Sequence, residues 1–145
     1  MQALRTFLSS GKAALLLTIT EVGMLLYWVF ATLVFFKLIS VDPALMYSDY
    51  QNEIIVAWNW SFFPIDVLFA ILGLLSRYVF KATQTKQVAS IVSLSLMFCA
   101  GLMAISFWIF NQSFDLFWWA INIWLMVLSS IFLINYFTAD AEVPI

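Results

Sequence analysis

Four long apolar runs, separated by short polar stretches, take up nearly the whole chain. The pattern predicts helical spans at about 13–36, 62–80, 88–110 and 116–137, with an outer loop at 37–57. The first run follows a short basic leader containing Arg5 and Lys12. It is longer than the roughly 7–15 apolar residues of a cleavable signal sequence, so it reads as a retained span, long enough for a bilayer core of about 30 Å. The loop after it is polar and acidic, with Asp42, Pro43, Asp49, Asn52 and Glu53. Tyr47 and Tyr50 among these acids suit a membrane–water boundary.

The second run extends from Ile54 to about Phe80. As one straight helix it would measure roughly 40 Å, too long to cross without strong tilt. Pro64 provides a break, because proline lacks an amide hydrogen and crowds the preceding turn. The expectation is a lead-in through Trp58 and Trp60, then a main span from about Phe62. The third run carries Ala89, Ser93, Ala100 and Ala104 near one helical face, with Gly101 beside them. Small residues of this kind let helices approach closely in lipid, so this is expected to be a packing face. Asn111, Gln112, Ser113 and Asp115 connect to the fourth run, and Asp140 and Glu142 lie in a short tail.

Composition makes lipid the solvent. Hydrophobic residues are 65% of the 145, aromatics 19% and charged residues 10%, against about 25% charged in a soluble domain. The net charge of −2 excludes a generally basic, nucleic-acid-binding surface. Without histidine, imidazole metal sites and histidine-based triads or dyads are impossible. Cys99 is the single cysteine and is expected to be a packing residue. No cofactor or metal centre and no catalytic residue is predicted.

Charge also orients the spans. Arg5 and Lys12 fall on the same side as Arg77, Lys81 and Lys86, whereas the opposite loops hold only Lys37 among basic residues. The positive-inside rule therefore predicts both termini in the cytoplasm.

Three polar residues interrupt the apolar runs: Glu21, Asp66 and Asn122. An acid at mid-span costs about 2.5–3.5 kcal/mol to insert, so such groups face a bundle interior and are candidates for function. Asn59, Asp66 and Gly73 recur at sevens and share a stripe if the helix is continuous; Thr18, Glu21, Trp28 and Thr32 fall on roughly one face of the first span. Asp115, Asn122 and Ser129 do the same in the fourth, with Trp118 and Met126 alongside. Plainer readings stand beside these. If a helix starts at Pro64, Asp66 lies in its first turn and complements the helix dipole. Glu21 can snorkel or bond a neighbouring helix, and Asn122 can be interhelical glue. Trp58, Trp60, Trp118 and Trp119 suit an aromatic belt, or else form an aromatic box over Asp66 that holds an organic cation. Arg77 is about 16 Å along a helix from Asp66, too far to be its counter-ion, so Glu21 is the nearest partner expected for Asp66 by depth.

The run Trp58-Asn59-Trp60-Ser61-Phe62-Phe63-Pro64-Ile65-Asp66, followed by Gly73-Leu74, resembles the signature of the YvaD-like family of small bacterial four-span membrane proteins. Glu21-Val22-Gly23 with Tyr27-Trp28 is similar to the same family's first span. The resemblance implies a bacterial inner membrane and no assigned activity.

The expected protein is therefore an all-α, integral membrane four-helix bundle with an aromatic-lined polar interior open toward the outer leaflet. The leading expectation is binding or transport of a small amphipathic or cationic molecule by Glu21, Trp28, Asn59, Trp60, Asp66 and Asn122. A structural subunit or immunity-type factor, packed on a larger membrane partner or on its own copies, is the rival. That rival requires an outward-facing small-residue stripe and a solid interior. An intramembrane lipid-modifying enzyme is third. Membrane lipids are the one partner common to all three.

Overall fold

The computed structural model describes residues 11–42 and 50–140. Arg5, Pro43, Tyr47, Asp49 and Glu142 lie outside the described residues. Regular structure within them is helical throughout: α1 (Gly11–Phe35), α2 (Glu53–Ser61), α3 (Phe63–Tyr78), α4 (Thr83–Phe110) and α5 (Leu116–Asp140). Counting α2 and α3 together, four helical stretches are long and apolar enough to cross a membrane. The protein is accordingly a multi-pass membrane protein.

The α2–α3 junction follows from Pro64. Its missing N–H and its ring stop the ladder from passing. The Phe62 amide turns back onto the Asn59 carbonyl at 3.1 Å, and the Asp66 amide restarts the pattern on the Phe62 carbonyl at 2.9 Å. Asn52 caps the lead-in, its side chain accepting from the Ile54 amide at 3.0 Å. Residues 53–57, expected in the outer loop, are therefore helical. The third span likewise starts early, at Thr83 rather than Val88, because its polar opening (Thr83, Gln84, Thr85, Lys86, Gln87) contains no residue that stops a helix. Asp115 opens α5 by accepting from the Phe117 and Trp118 amides, both at 3.1 Å.

Two helices close alike. After α1 the Leu38 amide reaches the Leu33 carbonyl and the Lys37 amide the Val34 carbonyl, both at 2.9 Å. After α4 the Ser113 and Gln112 amides bond the Trp108 and Ile109 carbonyls, both at 3.1 Å. This αL closure favours glycine, yet the positive-φ positions are Lys37 (57°) and Gln112 (53°).

The helices pack in series: α1 on α3, α3 on α4, α4 on α5. In contrast, α1 and α5 meet through side chains such as Tyr27 with Trp118 and not along a close backbone seam, which leaves a cleft between the first and last helices. The core runs through Phe69, Ala70, Met97, Ala100 and Leu125, while Leu15, Leu26, Val29 and Ile134 face outward, as lipid-facing residues do. Ala89, Ser93, Ala100, Gly101 and Ala104 all turn inward. A Cβ on Gly101 would lie 2.6 Å from the Asn122 carbonyl, so the α4–α5 crossing needs glycine there. Cys99, expected to pack inside, is exposed on the outer face of α4.

Candidate functional site

The antiparallel α1–α3 seam carries two polar contacts, Glu21 with Arg77 and Trp28 with Asp66, seven residues apart on α1 and eleven on α3. At one, Glu21 is fully buried and forms an ion pair with Arg77. The carboxylate fits because residue 73 is glycine; a Cβ there would collide with it. Hydroxyls surround the pair but bond elsewhere, and Glu21 Oε1 and Arg77 Nε have no hydrogen-bond partner among the described residues. Ser93 donates to the Phe69 carbonyl at 2.7 Å, Ser76 to the Gly73 carbonyl at 2.7 Å, and Ser90 to Ser76 at 3.0 Å. At the other contact, the Trp28 indole N–H donates to Asp66 Oδ2 at 3.0 Å. Seven residues separate Glu21 from Trp28 and Asp66 from Gly73, so one register satisfies both.

The expected Glu21–Asp66 pairing is thereby corrected. The two acids lie about 10 Å apart along the seam, and Glu21 belongs to Arg77 instead. Asp66 is 6% exposed and sits in the first turn of α3, yet that helix start has no side-chain cap bond. Its position is that of a helix opening, while its carboxylate is turned into the bundle. Oδ1 has no hydrogen-bond partner among the described residues.

Asp66 borders a cavity of about 530 Å³ in the cleft between α1 and α5. Of the six residues expected to form a site, Trp28, Asn59, Asp66 and Asn122 line this cavity. Trp60 packs on Trp28 with ring centroids 5.4 Å apart and lines a second, outer cavity of about 690 Å³. Glu21 lines neither. The side-chain amide of Asn122 donates to the Trp118 carbonyl of its own helix at 2.8 Å, so it is not glue between helices through that bond.

Tyr27 stands where the two cavities meet, in edge contact with Trp118 at 5.7 Å and close to Asn59, with oxygen–amide distances of 3.4–3.5 Å. Deeper in, the Trp124 indole N–H donates to Thr20 across the cleft at 3.1 Å. Trp58 stacks on Phe107 at 3.8 Å and meets Trp108 edge-on at 5.4 Å, so it wedges between helices. Sequence reasoning missed Tyr27, Trp108 and Arg77 as parts of these sites. One pattern could have found Arg77: Gly73, Ser76 and Arg77 share a face at helical spacing, opposite an acid on the neighbouring span.

Chemically, the cavity offers an incompletely bonded carboxylate, two amides and several indole faces in an otherwise apolar wall. That set attracts an organic cation through charge and cation–π contact while its apolar part displaces lipid or water.

Among known proteins, a family model described as a family of unknown function, DUF5360, matches residues 13–143. The chain is 39% identical over 110 residues to the uncharacterized protein YvaD of Bacillus subtilis (strain 168), covering 75% of this chain and 79% of that one. No solved structure matches.

Proposed function

This chain belongs to the DUF5360 family, and for this member we propose that the α1–α5 cleft binds a small amphipathic molecule bearing an organic cation. One observation carries the reading: Asp66, 6% exposed, has an oxygen without a partner among the described residues and borders an aromatic-lined cavity. A buried carboxylate in an apolar wall is costly unless a cation or proton meets it, which favours a cationic occupant. The cavity volume falls within the range of about 300–1,000 Å³ typical of small-molecule sites. Asn59 and Asn122 supply orienting hydrogen bonds, Trp28 fixes the carboxylate, and Trp60 backs Trp28.

The inward turn of the small residues on α4, together with an interior that contains a cavity, counts against the partner-packing alternative. We place the protein in the bacterial cytoplasmic membrane with both termini inside, because Arg77, Lys81 and Lys86 cluster at one end of the bundle.

The test is thermal unfolding of the purified protein in maltoside micelles with dodecyltrimethylammonium added below its own micelle concentration. A dose-dependent rise in Tm that disappears in Asp66→Asn is expected. An equal rise in both proteins, or none in wild type, contradicts the reading.

A further inference from the structure

The inner and outer cavities adjoin, sharing Tyr27, Phe30, Asn59 and Trp118. Among the described residues, Asp66 is the one charged group lining the inner cavity and Lys37 the one lining the outer. We propose that the two cavities form one site for a zwitterionic amphiphile whose charges run in a fixed order: apolar chain, then ammonium, then an anionic group outermost. This rests on the cation-binding reading above and adds a second, oppositely charged half to it.

The order follows from depth. Asp66 lies near the middle of the span Glu53–Tyr78, whereas Lys37 follows the end of α1. Trp28 touches Asp66, and Lys37 lies about 13 Å further along α1 from Trp28 at the helical rise per residue. The long, flexible lysine side chain can shorten that gap by reaching inward. A chain lying in the open α1–α5 cleft therefore brings its nearest charge to Asp66 and its outer charge toward Lys37. Asn59, which lines both cavities, can bond the linker between the two charges. An amphiphile with the reverse order, anion next to the chain and ammonium outermost, sets its anion against Asp66. The site thereby discriminates against molecules built like phosphocholine lipids, the kind of headgroup that a bilayer offers in excess.

Lys37 allows an unusual control. Its φ of 57° suits glycine, so Lys37→Gly removes the charge while keeping the backbone turn. Three probes with the same dodecyl chain are compared in maltoside micelles, with apparent Kd read from thermal shifts. They are dodecyltrimethylammonium, 3-(dodecyldimethylammonio)propanesulfonate and dodecylphosphocholine. In wild type the sulfobetaine is expected to bind about fivefold tighter than the simple cation, the scale of one added partly exposed charge contact, and dodecylphosphocholine more weakly than both. In Lys37→Gly the sulfobetaine-to-cation ratio falls to near one. If the cation binds through Asp66 but the sulfobetaine shows no advantage, or keeps it in Lys37→Gly, the two-charge site is wrong while the cation site stands. If no probe binds wild type, both fail.

Discussion

Gly73 is where a single hydrogen atom decides how closely α1 can approach α3. A methyl group there would collide with the Glu21 carboxylate and lie 2.8 Å from Ser93 Oγ, both held in a packed interior. Overpacking of this kind costs about 1–3 kcal/mol, so Gly73→Ala should unfold at markedly lower temperature or SDS fraction than wild type. Gly23→Ala, whose added carbon meets nothing within 4 Å, should not. At the other contact, Trp28→Phe keeps an aromatic ring but removes the donor with the pyrrole half of the indole, leaving Asp66 with no bond to Oδ2 as well as Oδ1. A loss of about 1–3 kcal/mol is expected in the same measurement. The importance of Glu21 and Asp66 was legible in the sequence, because acids stand out in apolar runs. Their partners were not. Arg77 looked like a flanking charge, and Trp28 stood out as a site residue on the Glu21 face without a bond to Asp66 being foreseen; only the α1–α3 register assigns each to an acid.

At the scale of elements, helix ends are testable without touching the cleft. Gln112 closes α4 in a left-handed conformation that costs a side-chain-bearing residue about 1–2 kcal/mol. Gln112→Gly should therefore stabilise the protein, by roughly 0.5–1 kcal/mol once the greater freedom of glycine in the unfolded chain is subtracted. No rise in Tm would show that the turn is held by something other than its backbone geometry. Hydropathy made the spans readable, and Pro64 made the α2–α3 break readable, since one residue type forbids the helix ladder. The boundaries at Glu53 and Thr83 were hidden because polar residues extend a helix beyond its apolar part as readily as they end it. The separation of α1 from α5 was hidden too. It depends on the volumes that α3 and α4 place between them, which no one-dimensional pattern contains.

For the whole molecule, orientation and the cleft are the properties to measure. With Cys99 replaced by alanine, a cysteine at exposed Asn111 should react in intact cells with an impermeant maleimide, and one at exposed Lys86 should not; the reverse pattern would invert the proposed topology. Gly23 borders the cleft with open space before it. Gly23→Leu should thus fill the cavity and keep or raise Tm, as leucine favours helix by up to about 1 kcal/mol over glycine, yet abolish the shift caused by dodecyltrimethylammonium. The most direct test of the cleft as a cation site is photolabelling with a diazirine-bearing alkyltrimethylammonium, followed by mapping of the adducts. Labelling is predicted on Met24, Ile121 and their neighbours in the cleft, competed by unlabelled dodecyltrimethylammonium and lost in Asp66→Asn. Adducts spread over outward-facing residues such as Leu26 and Ile134, uncompeted and unchanged in Asp66→Asn, would contradict it.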